Sequence, residues 1–319
     1  MMGRFVSGNA PSADSALADA LAAIGSEISA LRIPGLRGVV LGGGYGRGEG
    51  GVKVDNGVER LSNDLDFFAV TGEGATDADA SAVSAALEPS ARRWTENLGI
   101  DVDFTSRTPW RLRHDQDRLM VQELIHGYAD VAGAGGKELF AGIERREPSE
   151  LPWMEAARLL MNRGVGLLLA MERRPADFVS RNINKCILGA GDALLVSRGL
   201  YRWRAEDRKA ALASQGDDGL YARALDWKFC PREEPVCDWE TARGRWLAAK
   251  EKVFAAVDDA GFRRTLRNAA RWLVRRRTLG APGTFGQDPV VRVLSRVARC
   301  VEERRPLDGP LRRDWKVFN

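Results

Sequence analysis

Seven of the ten residues from Gly42 to Gly51 are glycines, and this cluster limits the chain's folding more than any other feature. It directly follows the short apolar run Gly38–Leu41, which predicts a buried strand. Glycine alone permits unusual backbone dihedrals and close approach of another group to the backbone. Bare backbone amides in such a bend can surround a phosphate group. The cluster therefore predicts a tight turn, at the end of a strand, that is suited to phosphate.

Two aspartates on either side of one leucine follow the glycines. Side chains alternate faces along a strand, so Asp64 and Asp66 should share one face while Leu65 and Phe67 point into the core. Two carboxylates on one face repel each other, and burying that repulsion without a cation costs several kcal/mol. A hard divalent ion such as Mg²⁺, which prefers oxygen ligands and also binds substrate phosphates, resolves the repulsion.

A second strand repeats the acidic pattern, with Asp101 and Asp103 separated by Val102. If it lies beside the first strand, a third carboxylate joins the cluster. Three carboxylates and two metal ions would form a site for phosphoryl transfer. Arg47, within the glycine cluster, could add a charge-assisted contact to phosphate.

Together these motifs resemble the DNA polymerase β-type nucleotidyltransferase superfamily, in the branch of the minimal and aminoglycoside nucleotidyltransferases. The resemblance covers roughly residues 35–130. It implies that Asp64 and Asp66 bind two Mg²⁺ ions and that Asp103, or failing that Asp101, is the third acid and the base for an attacking hydroxyl. The nucleotide-binding residues that it implies are Gly43, Gly44, Tyr45, Arg47 and, from the helical part, Lys185. A solvated helix lysine is the alternative for Lys185.

The sequence departs from the family pattern in two ways. Gly44 stands where the family has serine, so one hydroxyl contact to phosphate is lost. The spacing between Gly44 and Asp64 is also longer than is common. Asn56-Gly57 between alternating segments predicts a β-hairpin that accounts for the extra residues.

The periodicity predicts two domains. Strands and helices alternate over residues 1–148, which predicts an α/β (α+β) domain. The resemblance implies that this is a nucleotidyltransferase domain with a mixed sheet. Within it, Pro89 should break or restart a helix. Helical spacing dominates residues 149–319, which predicts an all-α domain. The resemblance implies that this second domain closes the nucleotide cleft. We expect a surface helix over residues 263–277, a loop over 281–289 and a surface tail over 304–319, and a structural role for Asp192.

Charge and cysteine content narrow the class of protein. Residues 1–150 carry 15 Lys/Arg against 23 Asp/Glu, whereas residues 151–319 carry 33 against 21, so the halves have net charges of −8 and +12. An acidic first half suits bound cations, and a basic second half suits an anionic partner.

The four cysteines form no CxxC pair, which favours reduced thiols over a disulfide framework. No apolar run is long enough for a membrane span or a signal peptide, so we expect a cytoplasmic protein.

Two other interpretations compete with the transferase. Residues Gly46–Gly51 satisfy GxGxxG, and Asp66 lies twenty residues after Gly46, as in a dinucleotide-binding fold. That motif should open a helix, whereas a hairpin is predicted here. The chain could also be a catalytically silent, RNA-binding or antitoxin-like module whose basic half contains Trp203, Trp227, Trp246 and Trp272.

The sequence therefore predicts an enzyme that transfers a nucleoside monophosphate, AMP from ATP being favoured, to a hydroxyl group with release of pyrophosphate. The predicted cofactor is a pair of Mg²⁺ ions, and the nucleoside triphosphate is a substrate. A small-molecule acceptor is favoured because the chain has no recognisable RNA module. A protein acceptor, as in protein-modifying AMP transferases, and an RNA end remain open.

Overall fold

A computed structural model describes residues 4–172, 174–255 and 289–318. The chain forms two compact units, Met1–Glu147 with Lys228–Pro231, and Pro148–Trp227 with Arg232–Asn319. The first unit holds a mixed sheet with helices and the second is helical, so the predicted fold class is confirmed. The predicted roles of the two domains stay predictions.

The first unit alternates strands and helices. Its strands are β1 (Leu36–Leu41), β2 (Val52–Asp55), β3 (Val58–Leu61), β4 (Leu65–Thr71), β5 (Val102–Arg107) and β6 (Ala129–Gly133). Its helices are α1 (Pro11–Leu31), α2 (Gly43–Gly46), α3 (Asp77–Leu98), α4 (Pro109–His114), α5 (Leu119–His126) and α6 (Gly136–Leu139).

Four strands form the main sheet in the order β5-β4-β1-β6. Strands β4 and β5 are parallel, and the long helix α3 connects them, as parallel pairing requires a crossover. Strand β1 is antiparallel to both β4 and β6. No strong sequence signal predicted β6, because Ala129–Gly133 is short and has neither a continuous apolar run nor strict alternation.

Both faces of this sheet are covered by apolar side chains. On one face, Val39, Leu41 and Phe67 pack with residues of α1 and α3. On the other, Val40 and Phe68 pack with residues of α4, α5 and α6. Because neighbouring residues of β1 and β4 serve opposite faces, both strands read as continuous apolar runs. Within β4, Asp66 is the one exposed residue, and it lies next to the beginning of the strand.

The predicted hairpin is confirmed and is attached to the first helix. Asn56 and Gly57 have φ of 51° and 79°, as the two central residues of a type I′ turn require. Helix α1 has no side-chain cap from its own N-cap residue. Instead, the Ala13 amide donates to Glu59 Oε2 of β3 at 2.9 Å. The hairpin thereby supplies the cap that α1 lacks.

Helix α3 runs through Pro89 without interruption, so the predicted break at this proline is wrong. Pro89 lies on the exposed side of the helix, where the carbonyl that loses its hydrogen bond can face water. Val83 and Leu87 before it are buried in the core, and Trp94 after it packs against the same core. The helix is therefore held by packing on both sides of the proline.

The second unit consists of helices within the described residues. These are α7 (Trp153–Leu169), α8 (Ala176–Ser197), α9 (Ala205–Ala213), α10 (Leu220–Phe229), α11 (Trp239–Ala255), α12 (Pro289–Glu302) and α13 (Gly309–Phe318). The predicted surface helix over 263–277 lies outside the described residues, as do Trp272 and all but the last residue of the predicted 281–289 loop. None of the described helices has the length and apolar character of a membrane span.

Asp192 and Trp246 of the second unit have polar partners inside the protein. Asp192 accepts a hydrogen bond from Tyr221 Oη at 2.8 Å and lies 3.2 Å from Arg208 Nε, the structural role expected for it. The Trp246 ring is fully buried, and its Nε1 donates to the Leu160 carbonyl at 2.9 Å. This tryptophan therefore belongs to the core and is closed to a nucleic acid. All four cysteines are free thiols, as expected.

The C-terminal segment is part of the core, and the predicted surface tail is wrong. Leu307 and Leu311 are buried, and Trp315 Nε1 donates to Asn162 Oδ1 of α7 at 2.9 Å. These three residues recur at intervals of four, which places Leu311 and Trp315 on one face of α13. The many arginines around them hid this apolar stripe in the sequence.

We predict that Leu311→Ala destabilises the protein by about 2–4 kcal/mol, because it removes a buried side chain from a packed core. Val317→Ala is the matched control, since Val317 lies on the same helix and is about half exposed. It should change stability by less than about 0.5 kcal/mol. Urea unfolding followed by circular dichroism measures both. Equal effects would show that α13 does not depend on Leu311 for its packing.

Candidate active site

The two acidic strands are neighbours, and their register pairs the predicted metal ligands. In the parallel pair of β4 and β5, Asp66 is the Cα partner of Asp103. Adjacent strands lie about 4.8 Å apart, so these two residues are adjacent on the sheet. Both side chains are exposed, whereas Leu65, Phe67, Val102 and Phe104 on the opposite face are buried.

Asp64 and Asp101 precede their strands by one residue each. The Leu65 amide donates to the Asp101 carbonyl at 2.8 Å, which fixes the start of β4 against the start of β5. Of the two candidates for the third acid, the structure therefore puts Asp103 beside Asp66 and uses the backbone of Asp101 to hold the strands together. Asp64 is partly buried.

The described residues contain no group of three His, Cys, Asp or Glu side chains placed to hold a metal ion. The adjacent pair of Asp66 and Asp103 supplies hard carboxylate oxygens on neighbouring backbones, and this donor set fits Mg²⁺. The set of three acids and two ions stays a prediction.

The glycine turn lies directly against Asp66. The Gly42 amide donates to the Asp66 carbonyl at 2.8 Å, so the end of β1 is bonded to the beginning of β4. Gly43 has φ of +62°, and a Cβ there would clash with Asp66 Oδ2. Glycine at position 43 therefore provides both the left-handed backbone and the space that the Asp66 carboxylate occupies.

Gly43 and Gly44 begin the single turn of α2. Amides at the beginning of a helical turn have no partner within the helix, and they point outward along its axis. Both glycines are only partly buried. This end of the turn combines backbone donors with a neighbouring carboxylate pair, which is an arrangement able to bind a phosphate–metal complex.

Tyr45, predicted to contact nucleotide, is fully buried and serves the loop itself. Its hydroxyl donates to the Gly51 carbonyl at 2.7 Å and accepts from the amides of Ser62 at 3.0 Å and Asn63 at 3.3 Å. Burial raises the pKa of this phenol, which keeps the hydroxyl protonated as a donor. Tyr45 therefore positions the segment that leads into Asp64.

Asn63 completes the connection. Its Oδ1 accepts from the Gly51 amide at 2.6 Å, so both backbone groups of Gly51 are bonded to the glycine turn or to the segment before Asp64. Gly50 lies against the ring of Tyr45, where a Cβ would overlap the ring. The sequence offered no signal for Asn63 or for this packing, because both depend on contacts across the hairpin insertion.

Arg47 lies between two acidic side chains. Its guanidinium is 3.4 Å from Glu49 and 3.7 Å from Glu123, and its side chain packs across Gly127. A phosphate that binds Arg47 must compete with these carboxylates. The phosphate contact predicted for Arg47 remains a prediction.

Lys185 lies on α8 of the second unit and is partly buried. Its predicted role toward the nucleotide stays a prediction.

The dinucleotide-binding interpretation does not fit this geometry. The GxGxxG stretch Gly46–Gly51 leads into strand β2 instead of opening a helix. Asp66 lies at the beginning of β4, whereas a ribose-binding acid follows the end of its strand.

Comparisons with known proteins match this chain to solved structures. No protein-family model and no curated protein matches the sequence. Among solved structures, the chain is similar to spectinomycin adenyltransferase AAD(9) from Enterococcus faecialis, determined with ATP and spectinomycin. The identity is 12%, the TM-score is 0.43, and the match covers 74% of this chain and 98% of that one.

We predict that Tyr45→Phe destabilises the protein by about 1–3 kcal/mol, because it removes a buried hydroxyl that donates to the Gly51 carbonyl and accepts from the Asn63 amide. Tyr128→Phe is the control, since Tyr128 is a partly buried tyrosine of the same unit that packs edge-on against Phe140. It should stay within about 0.5 kcal/mol of the wild type. Chemical denaturation measures both, and a neutral Tyr45→Phe would show that this hydroxyl does not hold the loop.

We also predict that Gly43→Ala costs about 1–2 kcal/mol, because alanine is strained at positive φ and its Cβ meets Asp66. Gly72→Ala is the control, because Gly72 has an ordinary φ and no atom within 4 Å of the added Cβ. Thermal unfolding should separate the two variants clearly. Indistinguishable melting temperatures would contradict the close approach of Asp66 to Gly43.

Proposed function

We propose that the protein is a Mg²⁺-dependent nucleotidyltransferase that moves a nucleoside monophosphate, AMP from ATP first among the candidates, to a hydroxyl group of a small molecule. The hydroxyl oxygen attacks the α-phosphorus, the bond between the α-phosphorus and the bridging oxygen breaks, and pyrophosphate leaves. The observation that carries this proposal is the pairing of Asp66 with Asp103 beside the Gly43 turn. This pairing brings carboxylate oxygens and backbone N–H donors to one end of the sheet.

Asp66 and Asp103 would hold the metal, with Asp64 as the further ligand and Asp101 as the alternative. Bound Mg²⁺ would neutralise charge on the phosphates and lower the pKa of the attacking hydroxyl. Asp103 would accept the proton of that hydroxyl. Its side chain is exposed, and Thr105 Oγ1 donates to its Oδ2 at 3.2 Å, which helps to orient the carboxylate.

The amides of Gly43 and Gly44 would bind phosphate oxygens, with Arg47 and Lys185 as the proposed cationic contacts. The fixed position of the turn supports this role, because preorganised donors need no rearrangement as charge develops. Tyr45 and Asn63 maintain that position through their hydrogen bonds to Gly51. Catalysis in this proposal comes from orientation and charge neutralisation.

We predict that Asp66→Asn and Asp103→Asn each lower turnover by about 100-fold or more, because each removes a charged ligand from the phosphoryl-transfer site. Asp19→Asn is the matched control: it makes the same chemical change at an exposed position of α1, and it should keep full activity. The assay measures pyrophosphate release from each of the four ribonucleoside triphosphates with Mg²⁺, against a panel of hydroxylated small molecules.

The class of acceptor is identified by using radiolabelled ATP in the same reactions and locating the labelled product. Label from α-³²P-ATP on a small molecule supports the proposal, whereas label on the protein itself or on a co-expressed protein supports the protein-modifying alternative. Full activity of Asp66→Asn or Asp103→Asn would refute the metal assignment. Failure of the wild-type chain to bind ATP with Mg²⁺ would favour the catalytically silent module.

A further inference from the structure

A second polar cleft lies at the other end of strand β5. It has a volume of about 380 Å³ and is lined by the end of β5, the first two turns of α3 and the beginning of α4. The strand rises about 3.3 Å per residue, so Arg107 at this end is about 13 Å along the strand from Asp103. The basic end of the cleft therefore lies away from the pair of Asp66 and Asp103, although Thr105 both lines the cleft and bonds to Asp103.

Arg107 is the central charge of this cleft. Its side chain is partly buried, and its Nη1 donates to the Ser106 carbonyl at 3.1 Å. Within the described part of the chain it forms no ion pair, because the nearby Asp115 is shared by Arg111 and Arg118. Burial, followed by the positive charges of Arg118 and Arg111, lowers the pKa of Arg107, while Asp115 and Asp77 act in the opposite direction. The carboxylates present thus leave positive charge uncompensated.

Ser106 provides an independent observation that points to a ligand. It lines the cleft, is only 7% exposed, and its Oγ has no hydrogen-bond partner among the described residues. Buried hydroxyl groups in folded proteins are nearly always hydrogen-bonded. The Oγ is closed to solvent in the free protein, so a ligand atom at the base of the cleft would supply the missing partner after a small shift of the cleft wall.

The remaining lining residues favour an anion. Ser84 contributes a hydroxyl group from the first two turns of α3, whereas the Ser81 hydroxyl already donates to the Asp77 carbonyl at 2.8 Å. Helix α3 has 22 residues, and its N-terminal end carries partial positive charge. Arg111, at the beginning of α4, adds a second guanidinium. Asp77 is the one carboxylate in the lining, so the two arginines outnumber it.

We propose that this cleft binds a small phosphorylated molecule through its phosphate group, with Arg107 and Arg111 supplying charge and Ser106 supplying a hydrogen bond. Guanidinium groups bind phosphate through two parallel hydrogen bonds. The tetrahedral oxygens of phosphate can accept from donors on α3, β5 and α4 together. The size of the cleft lies within the range of small-molecule sites, so a sugar-sized body fits beside the phosphate.

Isothermal titration of the full chain with inorganic phosphate, and then with ribose 5-phosphate and ribose, tests the proposal. The titrations are run without divalent metal and at constant ionic strength. Phosphate and ribose 5-phosphate should bind at one site and ribose should not. Arg107→Gln should weaken binding about tenfold or more, because it removes charge-assisted hydrogen bonds.

Arg113→Gln is the matched control. Arg113 lies on α4 but outside the cleft lining, and both of its terminal nitrogens bond to Glu73 at 2.8 Å. This variant loses the same charge and should bind phosphate as the wild type does. Ser106→Ala should weaken binding without lowering the melting temperature of the free protein, because the Oγ that it removes has no partner there.

Three outcomes would overturn the proposal. The wild type could show no saturable phosphate binding, Arg107→Gln could bind as tightly as the wild type, or malonate could bind as tightly as phosphate. Arg111→Gln provides a second variant if Arg107→Gln does not fold, since Arg111 is largely exposed. Unchanged phosphate affinity in Arg111→Gln would then refute the assignment.

Discussion

The position of β4 between β1 and β5 is the constraint on which the rest of the first unit depends. Strand β4 is antiparallel to β1 and parallel to β5, so the end of β1 meets the beginnings of both other strands. The glycine turn leaves the end of β1, and the acidic residues occupy the beginnings of β4 and β5. Any other order or direction of these three strands would separate the turn from Asp66 and Asp103.

Packing inside the protein is a sufficient reason for glycine at several positions of this turn. A side chain at position 43 would meet the Asp66 carboxylate, and one at position 50 would meet the Tyr45 ring. One at position 46 would meet the Leu41 carbonyl at the end of β1. The absence of side chains at these glycines lets the turn pack closely against the end of β1, the Asp66 carboxylate and the buried Tyr45 ring. A composition that suggests phosphate binding thus also has a purely structural explanation.

The sequence predicted the parts of the fold that are governed by periodicity and local turn chemistry. The pattern of apolar and polar residues predicted β4 and β5, and Asn56-Gly57 predicted the hairpin. The sequence also predicted that a third carboxylate, Asp103 or failing that Asp101, would join Asp64 and Asp66 if the two strands were adjacent. The register confirms that the strands are adjacent and pairs Asp103 with Asp66. These predictions succeeded because each depends on residues close together in the chain.

The errors and omissions concern contacts that are distant in the sequence. The predicted nucleotide contact of Tyr45 came from the family resemblance, which matches residue types but does not predict where a side chain points. In the structure the buried Tyr45 hydroxyl faces the backbone of Gly51 and Asn63. Arg47 gained two carboxylate neighbours, and one of them, Glu123, comes from α5. At the C-terminus, arginine-rich composition masked Leu311 and Trp315, whose burial depends on α7. A local sequence pattern does not predict contacts with residues that are distant in the chain.

Hydrogen bonds hold the hairpin between the glycine turn and Asp64 at its base, between Gly51 and Asn63, and at Glu59, which bonds to α1. Its tip at Asn56-Gly57 is exposed. Insertions or deletions at that tip would leave the hydrogen bonds of Gly51 and Asn63 in place. The chain can therefore vary in length between its two motifs over evolutionary time without displacing the carboxylates. A search pattern with a rigid spacing would overlook sequences that share this architecture.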